Sequence, residues 1–202
     1  MEETVTIPNA NLQLEGRFDA HSDSSKAVVI THPHPLYGGN MDNGVVCQIA
    51  SAFQNAGYST LRFNFRGTGL SSGSFDDGKG EQRDVRAALT WLSDKGYTQI
   101  TLAGYSFGSW VNAHVVSDGI EVADHIMVSP PAAFISFDSV KNLPCTGLII
   151  TGQNDEIAPP DMIESLIVKC DISPRMEILA HGDHFYSATM NQLFDALSDY
   201  LS

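Results

Sequence analysis

The sequence predicts an α/β protein, a mostly parallel sheet with helices on both faces that opens with an antiparallel hairpin. Three observations carry this. Short apolar, β-branched runs alternate along the chain with segments of helical periodicity, the pattern of parallel strands joined by crossover helices. The first twenty residues read differently, as two strand-like stretches around a turn. Hydrophobic residues make up 43% and charged residues 17%, which suits a chain that buries a core and not a disordered one.

The elements follow in order. Val5–Ile7 and Leu12–Phe18 flank Pro8-Asn9-Ala10-Asn11, a turn composition, and form the expected edge hairpin. Ala27–Thr31 is a short strand. Residues 42–57 are helical, with Val45, Val46, Ile49, Ala50 and Phe53 on one face. Leu61, Phe63 and Phe65 alternate with polar residues, a period of two expected of one strand. A glycine-rich loop leads to a helix in which Val85, Ala88, Leu89 and Leu92 share a face. Ile100–Ala103 is the next strand and Phe107–Val116 the helix after it. His125–Val128, an irregular stretch at 129–145, and Gly147–Thr151 follow. Pro159-Pro160-Asp161 marks a helix start, since proline suits the first turn and an acid suits the positive end of the dipole. Met176–Leu179 is the last strand. Met190, Leu193, Phe194, Leu197 and Leu201 form the stripe of the last helix. No repeat or linker interrupts the series, and residues 1–202 are expected to form a single domain.

Charge and cysteine usage exclude several roles. Eleven basic against 24 acidic residues leave a net charge of −13. Such a surface repels phosphate backbones and anionic headgroups, so neither nucleic acid nor membrane is an expected partner. Cys47, Cys145 and Cys170 are odd in number and lack close pair spacing, which predicts a reducing compartment over a disulfide framework. The first residues show no basic segment followed by an apolar one, and no apolar run reaches the ~20 residues of a membrane helix. A cytoplasmic location is the expectation.

Chemistry concentrates at Gly104-Tyr105-Ser106-Phe107-Gly108, a G-x-S-x-G pentapeptide between a strand and a helix. Chance would supply roughly 0.14 copies in a chain of this composition, so the context matters more than the pattern. A serine at a sharp strand-to-helix turn is strained, and the residues two before and two after it come too close for side chains. Gly104 and Gly108 meet that need. The turn lifts the Ser106 hydroxyl above the sheet and places the Phe107 N–H at a helix N-terminus, where it can meet a developing oxyanion.

Ser106 needs a base, and the base needs a carboxylate. Of seven histidines, the pairs His32/His34 and His181/His184 follow strands and lie at the carboxyl edge of the sheet, where ligands bind. His184 is preferred as base because Gly182-Asp183 gives the loop freedom and Phe185-Tyr186 anchors it beyond. Asp155, three residues past Gly152, is the expected acid. In the loop Thr31–Gly39 a second oxyanion donor is expected. Pro33 and Pro35 have no N–H, so His34 or Leu36 must supply it, and the His34 amide is preferred. The spacing of His32 and His34 permits metal ligation, but no carboxylate or cysteine lies beside them. Gly67-x-Gly69-x-x-x-Gly73 resembles a dinucleotide fingerprint, but the third glycine position is Ser72 and the helix starts too late.

Together these segments resemble the α/β-hydrolase superfamily over nearly the whole chain, and most closely its small esterases without a cap and dienelactone-hydrolase-like members. The resemblance rests on His32–Gly39, Gly104–Gly108, Gly152–Asp155 and Asp183–Phe185. It implies an α/β-hydrolase fold with Ser106 as nucleophile, His184 as base then acid, and Asp155 as its orienting carboxylate. Dienelactone hydrolases use a cysteine nucleophile where this chain has Ser106. Only Ser129–Leu143 occupies the place where many relatives insert a lid, so no lid domain is expected. The open site would be lined by His34, Leu36, Tyr37, Tyr105, Phe107, Phe134 and Phe185. The implied activity is cleavage of a carboxylic ester or thioester of a small-molecule acyl substrate through an acyl-enzyme, with no metal or cofactor. Peptide cleavage or acyl transfer by the same residues, and ligand binding without catalysis, are the alternatives.

Overall fold

A computed structural model describes residues 2–22 and 24–202. In chain order its elements are β1 (Glu3–Asn9), β2 (Leu12–Asp19), β3 (Lys26–Thr31), α1 (Gly44–Asn55), β4 (Ser59–Phe63), α2 (Lys79–Asp94), β5 (Gln99–Tyr105), α3 (Phe107–Ser117), β6 (Asp124–Val128), β7 (Thr146–Gly152), α4 (Pro160–Lys169), β8 (Arg175–Leu179) and α5 (Met190–Leu201). The strands form an eight-stranded sheet ordered β1-β2-β4-β3-β5-β6-β7-β8. The pairs β1/β2 and β2/β4 are antiparallel; every later pair is parallel.

The strand period of two divides the core into two layers. Val28, Ile30, Ala103, Ile126, Val128, Leu148 and Ile150 pack beneath α1 and α5. Ala27, Val29, Leu102, Met127 and Ile149 face the opposite way and pack with residues of α2, α3 and α4. Both faces are covered, so side chains on both faces of the central strands are buried and alternation in them separates two cores. All five residues of β4 are accordingly buried. Arg62 on that strand is tolerated because Glu2, Asp42 and the Met41 carbonyl surround its guanidinium.

Phe65 corrects the strand reading. β4 ends at Phe63 and the chain turns, with the Asn64 N–H donated to the Glu15 carbonyl at 2.9 Å. The Phe65 ring still enters the core on the α2 side, so its spacing reported burial without belonging to the ladder. The following loop is anchored by Arg66, whose guanidinium meets the fully buried Asp84 of α2 at 2.6 Å. Asp84 also accepts from the Arg66 N–H and from Asn9. Removing one partner would strand a buried charge, at a cost of about 3–5 kcal/mol.

No helix or strand lies between β6 and β7, so the sheet's carboxyl edge carries no lid. The chain turns after β3, β5, β6, β7 and β8 all gather at that edge, and the candidate site is built there. No helix among the described residues is long and apolar enough to cross a membrane.

Candidate active site

Ser106 sits at the bend between β5 and α3 with φ 53° and ψ −121°, a region that non-glycine residues rarely occupy. The surroundings over-determine it. Its N–H donates to the Val128 carbonyl at 2.9 Å, and its carbonyl accepts from the Ser109 hydroxyl at 2.7 Å. A Cβ on Gly104 would lie 2.6 Å from Thr31 Oγ1 and 2.7 Å from the Ser109 nitrogen. One on Gly108 would lie 2.7 Å from the His32 carbonyl oxygen. The two glycines let β3 and the start of α3 close around the serine.

The structure brings Ser106, His184 and Asp155 into one hydrogen-bonded line. Ser106 Oγ is 2.9 Å from His184 Nε2. His184 Nδ1 is 2.9 and 3.0 Å from the two Asp155 oxygens. All three side chains are buried, with 7% of Ser106 and 6% of His184 exposed. Burial alone would push the Asp155 carboxyl up. Hydrogen bonding and charge from His184, with the Ala158 N–H, outweigh it and hold the group below the usual carboxylate range. Asp155 Oδ1 also accepts from the Ile157 and Ala158 amides at 2.9 and 2.7 Å. An acceptor-only carboxylate at Nδ1 fixes the imidazole proton there and leaves Nε2 free to take the serine proton.

The Asp155 and His184 loops meet through glycine. The Asn154 N–H donates to the Gly182 carbonyl at 2.8 Å, and a Cβ on Gly152 would stand 2.3 Å from that oxygen. Tyr105 holds the histidine from below. Its hydroxyl donates to the His184 carbonyl at 2.8 Å, and its ring lies 5.5 Å from the imidazole. Tyr105 borders the cavity, but its hydroxyl serves the histidine loop.

His34 precedes a single 3-10 turn, Pro35–Tyr37, and its Nδ1 accepts from the Leu36 N–H at 3.2 Å. Its ring packs on Tyr37, Phe75 and Phe107 at 4.9, 5.0 and 4.6 Å between centroids. Burial lowers its basicity, partly offset by Asp77. The His34 amide has no acceptor among the described residues. The Phe107 amide, first in α3, has no helical carbonyl four residues back. The Leu36 amide, by contrast, is occupied by His34.

A cavity of about 440 Å³ opens on this arrangement. His34, Tyr37, Tyr105, Ser106, Phe107, Phe134, His184 and Phe185 border it. Leu36 does not, which corrects its reading as a wall residue. The 3-10 turn, closed by Gly38 at φ 81°, points Leu36 outward with 67% of it exposed. Tyr37 instead leans on Phe134, 5.9 Å between rings. Pro131, Ile135, Ile157 and Asn43 also line the cavity and were missed. Position could have found two of them, since Pro131 follows the end of β6 and Ile157 lies two residues past Asp155.

The remaining histidines named in the sequence lie outside the Ser106–His184–Asp155 line. His32 is fully buried, its Nδ1 on the Pro33 carbonyl at 2.7 Å and its Nε2 accepting the Phe65 N–H at 3.0 Å. Desolvation lowers its pKa to about 4, and with both nitrogens engaged it is not free to ligate a metal. His114 packs on Trp110, His125 of β6 bonds Thr146 of β7, and His181 lies exposed outside the cavity.

No family model matches the chain. It is 34% identical over 200 residues to the uncharacterized protein RP471 of Rickettsia prowazekii (strain Madrid E), spanning 94% of this chain and 84% of that protein. Among solved structures, an alpha-beta serine hydrolase homologue from Coxiella burnetii superposes with a TM-score of 0.92 at 34% identity, covering 99% of this chain and 97% of that one. XC6422 from Xanthomonas campestris, a member of the α/β serine hydrolases without lid, gives a TM-score of 0.90 at 30% identity, covering 98% and 93%. The chain belongs to the α/β serine hydrolase family, in the form that lacks a lid.

Proposed function

We propose that the protein is a serine esterase or thioesterase acting on small, uncharged acyl groups through an acyl-enzyme on Ser106. The observation that carries this reading is the unbroken Ser106–His184–Asp155 hydrogen-bonded line at the wall of an apolar cavity. Ser106 Oγ attacks the acyl carbon and its proton passes to His184 Nε2. Asp155 stabilises the imidazolium without taking the proton. The His34 and Phe107 amides receive the oxyanion, a contribution of about 3–4 kcal/mol per donor in comparable sites. The tetrahedral centre then expels the alcohol or thiol, protonated by His184. Water attacks the acyl-serine by the same route and releases the acid.

The substrate class rests on the walls. Tyr37, Phe107, Pro131, Phe134, Ile135, Ile157 and Phe185 present apolar surface, and no Asp, Glu, Lys or Arg borders the cavity. The net charge of −13 and the nearby Asp77 and Asp183 disfavour anionic acids. A fluorophosphonate probe should label the folded protein at Ser106, and Ser106→Ala should abolish both labelling and hydrolysis of chromogenic esters of graded acyl length. Folded wild-type protein that takes no label would favour a binding role instead. Matched thioester and anilide substrates test acyl preference and peptide cleavage.

A further inference from the structure

We infer that His32 is a positioning residue: its side chain holds the Pro33–His34 peptide so that the His34 N–H faces the cavity. The inference rests on the oxyanion role proposed for that amide. His32 is the first residue after β3 and fully buried, and its ring bridges two loops. Nδ1 lies 2.7 Å from the Pro33 carbonyl oxygen, and Nε2 lies 3.0 Å from the Phe65 nitrogen. Those partners fix the tautomer. A carbonyl only accepts and an amide N–H only donates, so Nδ1 carries the hydrogen and Nε2 is bare. A second proton would set Nε2–H against the Phe65 N–H.

The Pro33 carbonyl and the His34 N–H belong to one peptide group. That group is trans, so its oxygen and its hydrogen point in opposite directions. Fixing the oxygen on His32 therefore fixes where the hydrogen points. The same bond polarises the shared amide and makes its N–H a stronger donor. Gly39 leaves room for this arrangement, since a Cβ there would collide with the Pro33 oxygen. The next carbonyl, that of His34, accepts the Tyr37 and Gly39 amides at 3.0 and 3.1 Å. His34 is thus held from both sides. The His32 ring also meets Phe65 at 4.7 Å between centroids, and Phe65 meets Phe107 at 5.9 Å. One row of rings ties both proposed oxyanion donors, His34 and Phe107, to the same frame.

Two substitutions separate the ring's two bonds. Asparagine places an amide nitrogen where Nδ1 stands, and glutamine places an amide oxygen where Nε2 stands. His32→Asn therefore keeps the donor to Pro33, and His32→Gln keeps only the acceptor for Phe65. Each leaves one buried partner unpaired, so both should lower thermal stability by similar amounts. On a chromogenic ester that wild type hydrolyses, His32→Gln should lose about thirtyfold in kcat with KM unchanged. It should bind a trifluoromethyl ketone, which forms a tetrahedral oxyanion on the serine, more weakly by the same factor. His32→Asn should lose no more than about threefold in either measurement. Equal losses in the two variants, or a kcat for His32→Gln within about threefold of wild type, would overturn the inference. Nitrogen-15 NMR of wild type at neutral pH needs no variant to fold, and it should show His32 protonated at Nδ1 alone. The Nε2–H tautomer or an imidazolium would overturn the inference as well. Wild type that takes no fluorophosphonate label would sink the serine reading instead, while the tautomer still reports whether His32 holds the peptide.

Discussion

At Ser106 the geometry proposed for catalysis opposes stability. The backbone at φ 53° and ψ −121° suits glycine, and a side chain there costs of order 1–3 kcal/mol. Ser106→Gly should therefore abolish hydrolysis and raise the thermal midpoint by about 2–4 °C, read by calorimetry or circular dichroism. A midpoint equal to or below wild type would mean the bend carries no strain that the fold must offset. The neighbouring glycines follow the same steric logic, and their spacing around the serine made this part of the site visible in the sequence. Leu36 shows the reverse case. It stands one residue from Tyr37, and although both are largely exposed only Tyr37 borders the cavity.

Among the elements, the junction between the β7 and β8 loops matters most. Gly152 and Gly182 touch backbone to backbone, and this contact holds Asp155 and His184 in register. Gly152→Ala would drive a methyl against the Gly182 carbonyl. On the proposed mechanism, a displacement of about 1 Å between Asp155 and His184 corresponds to roughly a hundredfold loss of rate. Ester hydrolysis should fall by that order while far-UV circular dichroism retains its wild-type form. Activity within twofold of wild type would show that the loops can separate without harm. Nothing local to 152 or 182 announces the contact, because it exists only once β7 and β8 pair.

Over the whole molecule, two buried histidines link stability to pH. Burial lowers His32 to about 4 and His125 to about 3, whereas each titrates near 6.5 when unfolded. The folded state thus refuses two protons that the unfolded state accepts. Their contribution is intact above pH 6.5 and is lost as pH falls towards 4, at roughly 2.7 kcal/mol per pH unit for the pair. Urea unfolding should show about half this slope between pH 7 and 6 and nearly all of it between pH 6 and 5, and His125→Gln should remove about half of it. An unchanged slope in that variant would place the His125 charge change elsewhere.

Features set by local chemistry were legible in the sequence: the alternation of strands and helices, the glycine-flanked serine at a strand-to-helix bend, and the strand-end positions of Ser106, Asp155 and His184. Steric exclusion and periodicity act over a few residues, so a few residues report them. Tertiary structure alone decided where β4 ends before Phe65, that Leu36 turns outward, that Pro131 and Ile157 wall the cavity, and that Ser129 meets Tyr186. Each depends on strands distant in sequence lying side by side, and the contact that fixes the side chain comes from a partner its own neighbours do not encode.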